Sequence, residues 1–400
     1  MLKKTICTLP LISVLALAPL SVFASDDVSP AQSSLLSNID VSGVVQTDYS
    51  RVSGKRSDFD FNDIEVRRGR MGASGVIAQE VKFKFVVDFD SPSNVHLMDA
   101  YIAFKPGFAP VEIKLGQFKT ANSFDEQTSS SFSSTLERAA FTDVFELSRG
   151  VGASVAHKGA RHTLTLGFFG GDITDNVFSR YAVAGRATYV PVLVDDLTVH
   201  TGVSFRYRNL DTDQPMYDYS QGVIAAPTGN IVSTGRLAHS DLFLGEEVVA
   251  LKGRYWAAHE IGATIVNCMA CANDPVLVGG YVEVGAFFNG RRTYSGGRFG
   301  RPEIYRSIRN GGLGGFSLVA RFDVLDLNNG SVNGGSYQSI TLGAGWWPTP
   351  YTRVGLDLFK VDTDFGDVVP ELAPAFATAI AGGLTREDAH GLTVRFQILI

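Results

Sequence analysis

Six arginines crowd one short stretch of the chain, Arg291, Arg292, Arg298, Arg301, Arg306 and Arg309, with Glu303 as the lone acid among them. A guanidinium keeps its charge at any physiological pH, donates N–H groups in pairs and sheds water more readily than an ammonium. A row of them can therefore hold an oxyanion and hand it on. The bland reading is that they pair with acids or with one another's carbonyls and only stiffen the segment. Other basic residues recur at alternate positions elsewhere, notably Lys82 with Lys84 and Arg206 with Arg208. Catalytic patterns are lacking: neither GxSxG nor HExxH occurs, the seven histidines are scattered, and no cofactor is called for. Cys268 and Cys271 stand in CMACANDP. In an oxidising compartment that spacing reads as a small loop disulfide, since a zinc site would need two further ligands nearby and a redox motif would need a βαβ setting.

The elements that must position these charges are strands. Residues 1–24 have the three parts of an export signal, with Lys3 and Lys4, an apolar run, and Val22-Phe23-Ala24 at the cleavage positions. Residues 25–38 read as a short periplasmic segment and 39–400 as one domain. No second long apolar run follows, so a helical membrane protein is excluded although 45% of the residues are hydrophobic. Without its two signal lysines the chain carries 33 basic and 41 acidic side chains, a net −8 that gives no support for nucleic-acid binding.

Period-2 alternation appears near 39–50, 61–77, 80–90, 95–105, 110–119, 150–158, 161–170, 179–190, 196–208, 241–252, 254–266, 276–289, 313–326, 336–347, 351–362 and 389–400. In the third, Val81, Phe83, Phe85, Val87 and Phe89 share one face while Lys82, Lys84 and Asp88 share the other. Short and long connections alternate, the long ones being 120–149, 209–240 and 363–388. Residues 290–312 break the rule, lying on the short-turn side yet running long. The pattern predicts an all-β protein: a sixteen-stranded antiparallel transmembrane β-barrel with apolar residues facing lipid and polar residues facing an aqueous lumen.

Several segments resemble the phosphate-selective porins O and P of Gram-negative outer membranes. They are VRRGRMGASG at 66–75, MDAYIAF at 98–104, IKLGQFK at 113–119, LERAAF at 136–141, SRGVG at 148–152, LGEEVVALKGRYWAAHE at 244–260, GGYVEVGAFFNGRRTYSGGRFGRP at 279–302, FSLVARFDVLDLNNG at 316–330 and LGAGWWP at 342–348. The resemblance implies a homotrimer in the cell outer membrane, in contact with its lipid and lipopolysaccharide. It also implies that each pore is narrowed by residues 120–149, 209–240 and 290–312 and passes inorganic anions such as phosphate or polyphosphate. By position in the motifs, Asp99 and Arg138 look like a central pair, and Arg67 or Arg68, only one of which faces inward, looks like part of an arginine ladder.

The expected anion pathway therefore comprises Arg67, Arg68, Lys82, Lys84, Asp99, Arg138, Arg206, Arg208, Arg291, Arg292, Arg298 and Arg301. Two departures from the family pattern stand out. No lysine lies between Lys119 and Lys158, whereas phosphate-specific members place lysine on the constricting loop, and the chain ends in Ile400 instead of Phe. That loop instead holds Asp125, Glu126, Glu137, Asp143 and Glu146. A general or weakly cation-selective diffusion porin is thus the alternative reading.

Overall fold

The computed structural model describes residues 36–55, 60–91, 94–173, 180–210, 216–219, 230–269, 271–366, 368, 371–374 and 377–400. The expected signal peptide lies outside the described residues, as does most of the segment that follows it. Sixteen antiparallel strands close into a barrel, the first pairing with the last. In chain order they are β1 (Leu36–Gly54), β2 (Phe61–Ile77), β3 (Val81–Ser91), β4 (Asn94–Phe104), β5 (Val111–Lys119), β6 (Arg149–Lys158), β7 (His162–Phe169), β8 (Tyr181–Val194), β9 (Leu197–Asn209), β10 (Ala238–Lys252), β11 (Tyr255–Cys268), β12 (Val276–Phe288), β13 (Gly315–Asn329), β14 (Val332–Thr349), β15 (Thr352–Asp364) and β16 (Arg386–Leu399). All sixteen expected segments are present as strands.

Closure leaves no open sheet edge, which a chain surrounded by hydrocarbon requires because lipid offers no partner to an exposed N–H or C=O. The outer surface carries the apolar half of the alternation, with Val41, Ile64, Met71, Phe85, Leu166, Val203, Leu318, Leu342 and Phe396 exposed. Aromatic residues gather toward both rims, Tyr181 and Tyr207 on one side and Tyr189, Tyr255, Trp346 and Tyr351 on the other, the positions where amphipathic rings sit at the level of lipid head groups.

The lumen departs from the simple expectation that inward residues are polar. Along β10 to β14 the inward set includes Phe243, Val249, Leu251, Trp256, Tyr281, Leu325 and Tyr337, all buried. These side chains face protein, because the 120–148 segment and the connection before β10 fold in and pack on that wall. The latter contributes a two-stranded ribbon of Met216–Tyr219 with Val232–Arg236. Tyr219 packs edge-on against Tyr337 at 5.0 Å between ring centroids, and Phe145 lies 5.9 Å from Phe243. Sixteen strands enclose more space than inward side chains can fill, and here inserted loops fill one side of it.

Cys268 and Cys271 form the expected disulfide at the outer end of β11. So short a loop restricts little of the unfolded chain, about 2 kcal/mol in the loop-entropy treatment. Replacing both cysteines by serine is expected to leave the barrel folded with unaltered conductance, checked by gel mobility before and after heating and by single-channel recording.

Candidate functional site

The constriction begins with how strand charges hold a loop. Residues 120–148 contain two single-turn helices, Phe124–Gln127 and Ala140–Val144. Ser123 Oγ accepts from Glu126 N at 3.2 Å and caps the first. Elements this short leave most of their backbone groups without internal partners, and the barrel wall supplies several of them. Glu260 accepts from the N–H groups of Phe124 and Asp125, both at 2.7 Å, and Asp357 accepts from Leu136 N at 2.8 Å. Arg353 donates to the carbonyls of Ser133 and Ser134, both at 3.0 Å, and Arg395 to that of Leu136. Phe141 enters a slot made by Gly262 and Gly279, where a Cβ on Gly279 would lie 2.7 Å from the Phe141 side chain. Many inward charges that alternation assigns to the lumen are thus anchors for this loop.

The long inner turn rises to meet the loop. Gly290–Arg291 pairs with Glu303–Ile304, Phe299 N donates to Thr128 Oγ1 at 3.2 Å, and Phe299 meets the Phe124 ring edge-on at 4.8 Å. Arg186 donates to the Gly297 carbonyl at 2.7 Å. Gly297 has φ +76, and a Cβ there would come within 3.1 Å of that guanidinium, so the approach calls for glycine.

The six arginines of this turn separate into different surroundings. Arg291 pairs with Glu303 at 2.7 Å on the exposed rim. Arg292 lies over Trp256 and Phe299 at 4.7 and 3.9 Å and donates to Ser134 Oγ at 2.9 Å, tying turn to loop. Arg301 stacks on Tyr351 at 4.5 Å, and Arg306 donates to the Asn310 carbonyl at 3.1 Å. Arg298 is exposed to the lumen with no ion pair among the described residues. Stiffening thus describes Arg292, and an anion-holding role remains open to Arg298.

Two sequence expectations are corrected. Arg67 and Arg68 both face inward, where strict alternation allows only one. Gln46 pairs with Arg68 and Thr47 with Val66, so Arg67 is a bulged residue without a cross-strand partner. Arg67 then reaches Glu137 with Nε at 3.0 Å and Nη2 at 2.9 Å, while Arg68 donates to Gln46 Oε1 at 2.9 Å. Asp99 and Arg138 are not partners. Asp99 is held by Arg149 at 2.8 Å and Lys84 at 2.9 Å, whereas Arg138 stays on its own loop with Glu126 at 3.1 Å and the Thr128 carbonyl at 2.8 Å. Motif position places both residues near the constriction but does not say which groups lie within reach.

The acidic loop is largely neutralised. Glu137 takes Arg67 and Arg395; burial alone would raise its pKa, but these guanidiniums outweigh burial and hold it well below the usual carboxylate range. Glu126 takes Lys119 and Arg138, Glu146 takes Arg208, and Asp125 lies 3.5 Å from Arg321. Arg206 and Arg208 are likewise occupied, Arg206 by the Glu146 carbonyl at 2.7 Å and Arg208 by both Asp241 oxygens at 3.0 and 3.1 Å. Asp143 is in no ion pair among the described residues. Its side chain is exposed to lumen water yet ringed by dense protein, and that desolvation, partly offset by Arg138 and reinforced by Glu137 and Glu126, pushes its pKa up to about 6.

Water-accessible space divides in two around this constriction. The outer space, about 450 Å³, is lined by Glu126, Asp143, Glu146, Arg149, Arg206 and Arg208 among others. The inner space, about 640 Å³, carries seven basic side chains, Lys82, Lys84, Lys114, Lys119, Lys158, Arg186 and Arg298, against Asp40 and Glu112. Five of the seven have a carboxylate within 4 Å: Lys82 and Lys158 share Glu112, Lys84 has Asp99, Lys119 has Glu126 and Arg186 has Glu247. Lys114 and Arg298 have none among the described residues. Lys114 rests over the rings of Tyr101 and Phe118 at 4.6 and 4.9 Å, contacts that orient its ammonium group. Lys114 is absent from the sequence-based pathway, although its shared face with Glu112 in VEIK was a usable signal. The constricting loop has no lysine, and the lysines that line the inner space stand on the barrel wall.

Solved structures share this fold. An anion-selective porin from Comamonas acidovorans is 11% identical, with a TM-score of 0.57 covering 91% of this chain and 99% of that one. The trimer form of the Vibrio cholerae outer membrane protein OmpT is 10% identical, with a TM-score of 0.55 covering 91% of this chain and 99% of that one. In sequence, an uncharacterized protein of Caulobacter vibrioides is 28% identical over 345 residues, 80% of this chain and 68% of the relative. Fold and family are those of a channel of the outer membrane rather than of an enzyme. The sequence model of the phosphate-selective porins O and P matches residues 39–368, and the chain belongs to that family.

Proposed function

We propose that this porin is an anion-preferring channel for phosphate-like oxyanions that works as a homotrimer. The observation that carries the reading is the inner space, where Lys114 and Arg298 face the same water with no carboxylate within 4 Å of either among the described residues. Charges lining a narrow passage set ion preference, because low-dielectric walls focus their field, whereas the net charge of the chain acts at a distance and is screened. An oxyanion entering from outside first meets loop acids of which Glu126 and Glu146 are paired with cations and Asp143 is not, then two cations on opposite elements, Lys114 on strand β5 and Arg298 on the inner turn. Neither cation seals the anion in, so each site is weak enough to release. The trimeric state is supported by the OmpT structure described as a trimer form.

The alternative of a general or weakly cation-preferring porin draws support from the outer space, where Asp143 is unpaired and Asp218 also contributes to the lining. The zero-current potential across a KCl gradient in a planar bilayer separates the two readings, followed by phosphate titration of the chloride current. An anion-preferring potential with phosphate block is expected. A cation-preferring potential without block would reject the proposal.

The Asp143 carboxylate adds a pH dependence. A carboxyl with its pKa raised to about 6 is charged above that pH and neutral below it. Lowering the pH from 7.5 to 5 is therefore expected to increase anion preference by removing this charge from the outer space. Asp143→Asn should flatten that response in reversal-potential measurements at the two pH values.

A further inference from the structure

On the membrane-facing surface, the register of β14, β15, β16 and β1 aligns residues in rows. One row reads Leu342, Leu358, Leu392, Arg51, and the next row toward the long-loop rim reads Ile340, Lys360, His390, Ser53. The leucines at 342 and 358 and Ile340 are exposed, as apolar residues facing acyl chains should be. Arg51, Lys360 and His390 are exposed among them. Directly paired positions have Cβ atoms about 5 Å apart and diagonal ones about 7–8 Å, so the three side chains can converge on one group. None of the three has a hydrogen bond or ion pair from its side chain among the described residues. The acids farther out are already engaged, Asp362 by Arg386 at 2.7 Å and Asp388 by Lys55 at 3.4 Å.

We propose that Arg51, Lys360 and His390 form a binding site on the outside of the barrel for the phosphorylated head group of an outer-leaflet lipid. Three donors with no carboxylate within 4 Å among the described residues, Asp388 one row farther out acting on Lys360 only through its field, stand where the apolar surface gives way to charge and match an anion whose own tail runs down along Leu342 and Leu358. A guanidinium supplies paired donors to phosphate oxygens and an ammonium a compact charge. Long basic side chains at this depth can reach the head-group layer while their stems stay on apolar surface. The end of the barrel follows from the connections, since β1 starts and β16 ends at the opposite rim, where the short turns after β2, β6, β8, β10 and β14 also lie. The site is separate from the pore and does not depend on its ion preference.

The test uses the full-length protein purified in mild detergent, incubated with diphosphoryl lipid A or with its dephosphorylated form, and read by native mass spectrometry. The protein is expected to retain the phosphorylated lipid at least about tenfold better, reflecting at least one phosphate contact of about 1.4 kcal/mol. The triple variant Arg51→Ala, Lys360→Ala, His390→Ala should lose that preference, while Lys360→Arg should keep it. The pore variant Lys114→Ala, Arg298→Ala should also keep it, which separates lipid binding from phosphate in the lumen. Equal retention of the two lipids, or undiminished preference in a triple variant that still shows the folded gel mobility, overturns the proposal.

Discussion

Replacing Lys114 and Arg298 together by alanine is expected to weaken phosphate block of the chloride current by about 30-fold and to shift the zero-current potential toward cations. A unit charge 4 Å from another contributes about 1 kcal/mol in a water-like dielectric and more where protein displaces water. Taking the lower value for each cation gives about 2 kcal/mol for the pair, and about 1.4 kcal/mol corresponds to tenfold in affinity. The other five basic groups of the inner space have carboxylates within 4 Å, so a single replacement such as Lys158→Ala, which leaves Lys82 beside Glu112, should change block far less. Phosphate titration of single-channel current in the double variant, beside Lys158→Ala, checks both statements. An equal effect of the two variants would mean that net lumen charge matters and the two unpaired cations do not.

The second large effect is expected at Glu137. Its carboxylate takes Arg67 at 2.9 Å and Arg395 by a still shorter contact, with Arg68 at 3.9 Å. Removing one member of a buried charge cluster typically costs about 3–5 kcal/mol, because the remaining charges lose their compensation without regaining water. Glu137→Ala should therefore release the loop tip near residues 133–137, widen the passage and take one carboxylate from Arg67, while Arg395 keeps Asp48 at 2.6 Å. Larger single-channel conductance and stronger anion preference are the expected readings, with the barrel still resistant to unfolding because its ladder is untouched. Since the carboxyl is held well below its usual range, its contribution is intact at neutral pH and is lost only as the pH falls into strong acid. Conductance equal to that of the unaltered protein would show that the loop tip does not set the width of the passage.

By itself the sequence determined the barrel, the order and facing of its strands, and the segment that turns inward from the wrong end. Period-2 alternation is a local property, and a strand surrounded by lipid shows it with little interference from tertiary context. The facing of Lys82, Lys84, Arg186 and Arg395 followed from parity alone. So did the conspicuous length of residues 290–312, which needs only counting. Parity failed at Arg67 and Arg68, because the bulge depends on how β1 and β2 share hydrogen bonds. It also failed along β10 to β14, where inward apolar residues serve loops that fold back from distant positions.

Only the tertiary structure decided which charges remain available to a solute. Free and neutralised arginines have identical sequence signatures, since ion pairing depends on distances of up to 4 Å between residues that lie from seven to 347 positions apart. Asp99 and Arg138 sit in motifs of the same family pattern yet take different partners, and Arg292 and Arg298 share one turn yet face aromatic rings and open water respectively. Composition and spacing specify how many cations a strand wall can present. The folded loops, by supplying carboxylates to most of them, leave Lys114 and Arg298 without one.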